Sequence, residues 1–223
     1  EKLAFSLWSL ETMRHQGALE AQILHALGLK PKWNRQGNVV DTEVIEYKDL
    51  KRPRIDVVIS ATGLYRDEFP NVMLWLAEAI DKVAKMKEEN NFIYRNSNDL
   101  KQQLITDGKT RDDADYLSSV RIFSNETGNY GTGLAGASLA SDTWDDDSKL
   151  ADLYLRRMGF AFGKDEKRWS ENMAQTELYS KVLSGTDGVI FSRSTNLYAM
   201  MTNDDPFQYF GGIGMAVRHL DGQ

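Results

Sequence analysis

Four polar stretches of this sequence hold the side chains that could do chemistry: WSLETMRHQG (8–17), ATGLYRDEFP (61–70), NETGNYGTG (125–133) and TNLYAMMTNDDP (195–206). In the first, Arg14 and His15 stand near the start of a helical pattern. An imidazole there could take a proton, although a surface histidine is the more ordinary reading. In the second, Arg66, Asp67 and Glu68 precede a helix. An acidic pair there favours a helix N-terminus by roughly 0.3–1 kcal/mol, and Arg66 with Asp67 could form a structural ion pair. In the third, Gly128, Gly131 and Gly133 permit positive φ and close backbone approach, and Asn125, Glu126 and Tyr130 offer polar tips. That loop reads either as a turn-rich connection or as backbone lying against a flat ligand. In the fourth, Asp205 before Pro206 is expected to cap a helix, which leaves Asn203 and Asp204 to face a ligand.

No stretch matches the phosphate-loop pattern with its lysine, and the glycine loop lacks the full dinucleotide fingerprint. The run Asp145–Asp147 reads as a solvated, dipole-favourable helix start rather than a metal site. Among 223 residues there is no cysteine, so disulfides and thiolate metal sites are excluded, and the three histidines show no paired ligand spacing. A net charge of −6 argues against nucleic acid as the main partner, because phosphate binding needs clustered Lys and Arg. No apolar run approaches the roughly 20 residues that span a bilayer.

The elements that must position these loops alternate between strand and helix. Leu3 to Trp8 reads as a strand, followed by a helix from Ser9, a plausible N-cap, to Gly28, with Gly17 as a break or kink. Residues 43–47 could form a short strand. Ile55–Ser60 is an uninterrupted apolar run that fits a strand buried on both faces. Residues 69–86 form the clearest helix, with Val72, Leu76, Ala79, Ile80 and Val83 on one face. Helices are expected near 98–107, 111–119, 150–158 and 168–184, strands at 121–124 and 188–194, and a last helix from Pro206. Gly211, Gly212 and Gly214 weaken that helix by roughly 1 kcal/mol each, which suggests close packing against backbone or ligand. The pattern predicts a single α/β domain over residues 1–223, a Rossmann-like layered sandwich with a mostly parallel central sheet flanked by helices. In such folds ligands gather beyond the carboxyl ends of the strands, which would bring the four loops to one rim.

The same loops carry a resemblance. LWSLETMRHQGALEAQILHALGLKP, KRPRIDVVISATGLYRDEFP, RIFSNETGNYGTGL, TWDDDSKLADLYLRRMGFAFG and TNLYAMMTNDDPFQYFGGIGMAV resemble, in this order, blocks of the CobN/magnesium-chelatase H-subunit family, the large tetrapyrrole-binding subunits of metal chelatases. The segment around RPRIDVV is the most specific. The resemblance implies a piece of the C-terminal half of a far larger subunit, inactive by itself, which helps to insert cobalt or magnesium into a corrin or porphyrin. It implies a ligase-type reaction in which ATP is hydrolysed on separate AAA+ partner subunits. Other expected partners are the tetrapyrrole, the divalent metal substrate and the remainder of the large subunit, in a cytoplasmic setting. On this reading His15 is the base, with Asp67, Glu126, Asp204 and Asp205 as further catalytic groups and Asp204 and Asp205 receiving the metal. Arg14, Arg66, Tyr65, Asn125, Tyr130, Gln208 and Tyr209 would hold the macrocycle. The stretches YAMMTNDDP and GTGLAGASLA depart from the family's pattern, which leaves a carrier, a sensor or a metal-removing enzyme as alternatives, and a docking domain for the motor is a further one.

Overall fold

The strand expected at Ile55–Ser60 does form the buried centre of a sheet, one residue later, at Asp56–Ala61. All six residues of Asp56–Ala61 are buried, and the strand pairs in parallel with its neighbours on both sides. The computed structural model describes residues 1–169, 175–195 and 204–222. Within it the strands are β1 (Lys2–Leu7), β2 (Leu29–Trp33), β3 (Val39–Val44), β4 (Asp56–Ala61), β5 (Ile122–Ser124), β6 (Phe160–Ala161) and β7 (Gly188–Phe191). The main sheet has the order β6-β5-β4-β1-β7, with β5, β4, β1 and β7 parallel and the edge strand β6 antiparallel. The expected mostly parallel α/β sandwich is therefore the observed one.

Helices cover both faces. They are α1 (Ser9–His15), α2 (Ala18–Leu27), α3 (Tyr47–Leu50), α4 (Gly63–Glu68), α5 (Pro70–Ala84), α6 (Phe92–Thr106), α7 (Arg111–Ser118), α8 (Leu134–Leu139), α9 (Ser148–Met158), α10 (Thr176–Leu183) and α11 (Gly212–Leu220). Strand alternation splits the interior in two. Phe5, Leu7, Val57, Ile59 and Ala61 point to a core with Ile23 and Leu27 of α2 and with Leu76, Ile80 and Val83 of α5. Ala4, Val58 and Phe123 point to a second core with α9, α10 and α11. Each fully buried aliphatic or aromatic side chain contributes about 1.5–3 kcal/mol, so these two layers hold the rim loops in place. Among the described residues no helix is long and apolar enough to cross a membrane.

Several sequence expectations need correction. The helix from Ser9 is two helices, because Gln16 and Gly17 both take positive φ. Ser9 is its first helical residue rather than its cap, and its hydroxyl bonds Glu68 instead. The helix near 69 is preceded by a separate short one, α4, capped by the Thr62 side chain. The strand expected at 43–47 lies earlier, at Val39–Val44, and pairs antiparallel with Leu29–Trp33. Pro31 and the flanking lysines of β2 hid that partner, since its burial depends on one face only. Of the helix expected at 168–184, α10 starts at Thr176, while residues 170–174 lie outside the described set. The last strand stops at Phe191 rather than 194.

Asp205 does not cap the last helix. It already has helical φ and ψ and makes no side-chain cap bond, and the chain runs through one wide π turn, Pro206–Gly211, into α11. Of the three late glycines, Gly212 has the packing reason: a Cβ there would stand 2.5 Å from Tyr154 Cδ2 and 2.9 Å from Leu134 Cδ1. Gly214 meets nothing within 4 Å.

Candidate functional site at the carboxyl rim

Strand order sets the order of the loops. Going from β5 to β4 to β1 to β7, the rim carries in turn the glycine loop, the Thr62–Glu68 turn, the Trp8–His15 turn and the segment from Ser192. Each neighbouring pair is joined by side chains. Arg66 ties the second loop to the first: its Nη1 donates to the carbonyls of Asn125 at 2.9 Å, Glu126 at 2.8 Å and Asn129 at 3.3 Å. Ser9 donates to Glu68 between the second and third. Between the third and fourth, His15 Nε2 lies 3.3 Å from Ser192 Oγ, and the Ser194 amide donates to Glu11. The strand order reverses beside β1, so the β1–β7 pair is the switch point at which open α/β sheets place ligands.

The π turn closes the rim from above the glycine loop. The Gly131 amide donates to the Tyr209 hydroxyl at 3.1 Å, and Thr132 donates to Gln208 Oε1 through its hydroxyl at 3.3 Å. Gln208 Nε2 in turn donates to Asp204 Oδ2 at 2.7 Å. Trp8 packs edge-on to Phe191 and Tyr209, with centroids at 5.1 and 5.9 Å. The loop can take this path because Gly131 and Gly133 adopt φ of 73° and 79°, where other residues are strained.

Arg66 is the centre of the arrangement. It is buried, its Nε donates to Asp67 Oδ1 at 2.7 Å, and its guanidinium carbon lies 5.7 Å from the Tyr130 ring centre. The exposed Tyr130 donates its hydroxyl to Asp67 Oδ2 at 2.6 Å. Partial burial works against the Asp67 charge, but the hydrogen bonds from Arg66 and Tyr130 outweigh it and hold the carboxyl below its ordinary range. The same carboxylate pushes the Tyr130 hydroxyl up. Asp205 moves the other way: desolvation and the neighbouring Asp204 charge raise its carboxyl. Among the described residues five buried side-chain polar atoms have no partner. Three of them, Arg66 Nη2, Ser124 Oγ and Asn125 Oδ1, sit together at the carboxyl ends of β4 and β5.

The structure thus brings Arg66, Asp67, Asn125, Glu126, Tyr130, Asp204, Gln208 and Tyr209 into one hydrogen-bonded cluster, with Arg14 and His15 further along the same rim. It also reassigns several of them. Tyr65 is fully buried beneath the rim and donates to Glu20 at 2.9 Å, so it cannot present a face to a macrocycle. Asn125 is a strut, donating to the Gly131 carbonyl at 2.8 Å, and the buried Tyr209 is another. Arg14 is engaged with Glu11 at 2.7 Å. His15 Nδ1 accepts the Ala18 amide at 3.1 Å, so the neutral ring carries its proton on Nε2. As arranged it is a donor toward Ser192, and action as a base requires it to release Ala18. Glu126 accepts from Asn129 at 2.6 Å on the exposed edge of the loop.

Among the described residues no group of three or more acidic or histidine side chains is placed to hold a metal ion, while Asn203 and the stretch 196–202 lie outside them. Sequence reasoning passed over Trp8, Thr132 and Ser192. An aromatic residue directly after a buried strand was the available signal for Trp8; nothing in the sequence marks the other two.

The family described as CobN/Magnesium Chelatase matches this chain over residues 1–223. The chain is 30% identical to the magnesium-chelatase H subunit of Cereibacter sphaeroides over 226 residues, which cover 100% of this chain and 18% of that protein. It is 30% identical to the aerobic cobaltochelatase subunit CobN of Pseudomonas aeruginosa over 224 residues, 99% of this chain and 18% of that one. The catalytic subunit of cobaltochelatase from Mycobacterium tuberculosis superposes with a TM-score of 0.87 at 31% identity, covering 100% of this chain and 18% of that chain. The chain therefore spans less than a fifth of the length of these relatives.

Proposed function

The chain belongs to the CobN/magnesium chelatase family, and we propose that its carboxyl rim is the tetrapyrrole-facing part of a chelatase large subunit that works with ATP-hydrolysing AAA+ partners. One observation carries the reading. Three buried polar atoms without partners among the described residues, one of them a guanidinium nitrogen, belong to residues that follow or end β4 and β5 at this rim. Buried polar groups are nearly always paired, and a planar, permanently charged donor suits a carboxylate on the rim of a pigment.

Metal insertion requires that the pyrrole N–H protons leave and that the metal substrate shed water, which Mg²⁺ does reluctantly. On this chain Arg66 Nη2 would take a propionate or acetate, and the exposed Tyr130 ring would lie along the macrocycle. Asp204, with Asp205 beside it, would offer carboxylate oxygens to the incoming cobalt or magnesium. The raised Asp205 carboxyl can hold and pass on a proton nearer neutrality than an ordinary aspartate would.

The test uses the full-length subunit with its motor partners. Pigment binding is followed by absorbance titration and insertion by the spectral change of the ring. Asp204→Asn is expected to lower insertion about 10–100-fold while pigment binding persists. Tyr130→Ala is expected to weaken pigment binding. If both variants bind and insert like the unaltered protein, the assignment is wrong. Tight pigment binding with no turnover in the reconstituted wild-type complex would mark a carrier instead.

A further inference from the structure

Beside the rim, between α1, α2, α5 and the β2–β3 hairpin, lies a cavity of about 640 Å³, within the range of small-molecule sites. Its walls include Met13, Trp33, Phe69, Val72 and Trp75, and of the residues lining it Glu20 alone is ionisable. Glu20 is only 6% exposed. Its Oε1 accepts two hydrogen bonds, from Thr12 Oγ1 and from the Tyr65 hydroxyl, both at 2.9 Å. Its Oε2 is buried and has no partner among the described residues.

A carboxylate oxygen left this way is costly unless something donates to it, and a charged donor compensates it far better than a neutral one. Both neighbouring hydroxyls donate to Oε1 in this structure, which leaves none on Oε2. Burial, together with the Glu20 charge, pushes the Tyr65 hydroxyl well above its ordinary range, so Tyr65 stays a donor and yields no proton. Three of the lining residues, Trp33, Phe69 and Trp75, are aromatic, and indole faces attract cations. A buried carboxylate that is the one ionisable group lining a largely apolar cavity favours an organic cation with an apolar body.

We propose that this cavity binds a small, largely aromatic molecule bearing one protonated amine. The ammonium would lie on Glu20 Oε2 and the ring against Trp33, Trp75 and Phe69. This goes beyond the rim site: Arg66, Tyr130 and Asp204 are not among the lining residues.

Calorimetric titration of the full-length protein tests it, with tryptamine as the cationic probe and tryptophol, its uncharged alcohol counterpart, as the control. Tryptamine is expected to bind and tryptophol to bind much more weakly. Glu20→Gln should cut tryptamine affinity by about tenfold or more and leave tryptophol unchanged. Ala21→Trp, at an exposed position on the cavity wall, should remove tryptamine binding without lowering the melting temperature. The proposal is overturned if wild type binds no tryptamine, as would follow if a lysine or arginine from the rest of the subunit fills the cavity. It is also overturned if the two probes bind alike, or if Ala21→Trp leaves binding intact.

Discussion

Gly63 and Tyr130 touch across the rim: a Cβ on Gly63 would stand 2.7 Å from Tyr130 Cδ1 and 2.8 Å from the Asn129 carbonyl oxygen. Gly63 opens α4 with no positive φ, so alanine suits its backbone. The effect of Gly63→Ala is therefore steric, and it falls on the glycine loop. Helix propensity alone would favour alanine by up to about 1 kcal/mol. We expect a lowered melting temperature, because the Asn129 carbonyl must shift, together with a loss of pigment affinity, read by absorbance titration of the full-length protein. Unchanged affinity would show that the loop does not face the pigment.

Tyr130→Phe removes the phenol that donates to Asp67. Both residues are exposed at the rim, so stability should change by no more than about 0.5 kcal/mol. The Asp67 carboxyl, held down in part by that bond, should titrate closer to its ordinary value of 3.8. A carbon-detected NMR titration of side-chain carboxyls follows it directly, and a shift downward would contradict the bonding described.

Far below the rim, Asp56 and Arg121 form a pair with 0% and 2% side-chain exposure at the amino ends of β4 and β5. Arg121 Nε reaches Asp56 Oδ1 at 2.9 Å, and Asn96 donates to Oδ2 at 2.7 Å. Asp56→Ala strands a buried guanidinium and should cost about 3–5 kcal/mol in chemical denaturation. The double variant Asp56→Leu, Arg121→Met should recover much of that, because both charges of the pair are then removed.

Asp81 on α5 receives Lys164 at 2.7 Å, Lys85 at 3.0 Å and the Ser119 hydroxyl at 2.9 Å. Burial alone would raise its carboxyl, but these three donors together lower it from 3.8. A folded value below the unfolded one means that the unfolded chain binds the proton first. The contribution is therefore complete above pH 3.8 and is lost as pH falls through the folded value. Asp81→Asn should lower stability at pH 7 and flatten its decline in acid; an unaltered acid limb would rule this out.

Gly28 takes a φ of 73°, and a Cβ there would lie 2.3 Å from Nη1 of the buried Arg54, which donates to the Leu27 and Gly28 carbonyls. Gly28→Ala is expected to cost more than about 1 kcal/mol, through strain and displacement of the guanidinium. Thermal denaturation of the variant checks it.

Local pattern determined a good deal. The largely apolar run at 55–60 announced a central strand, the apolar stripe from Val72 to Val83 announced α5, and their alternation announced the layered sheet, because side-chain period and burial are properties of neighbouring residues. The same alternation placed the polar loops at the carboxyl ends of the strands. What only the tertiary structure decided is which atoms those loops share. Arg66 and Asn129 are sixty-three positions apart, and Gln208 meets Thr132 across seventy-six. No local period encodes such pairs. The burial that turned Tyr65, Asn125 and Tyr209 from ligand-facing tips into struts, and left Glu20 Oε2 buried without a partner among the described residues, arises only when distant segments stack and exclude water.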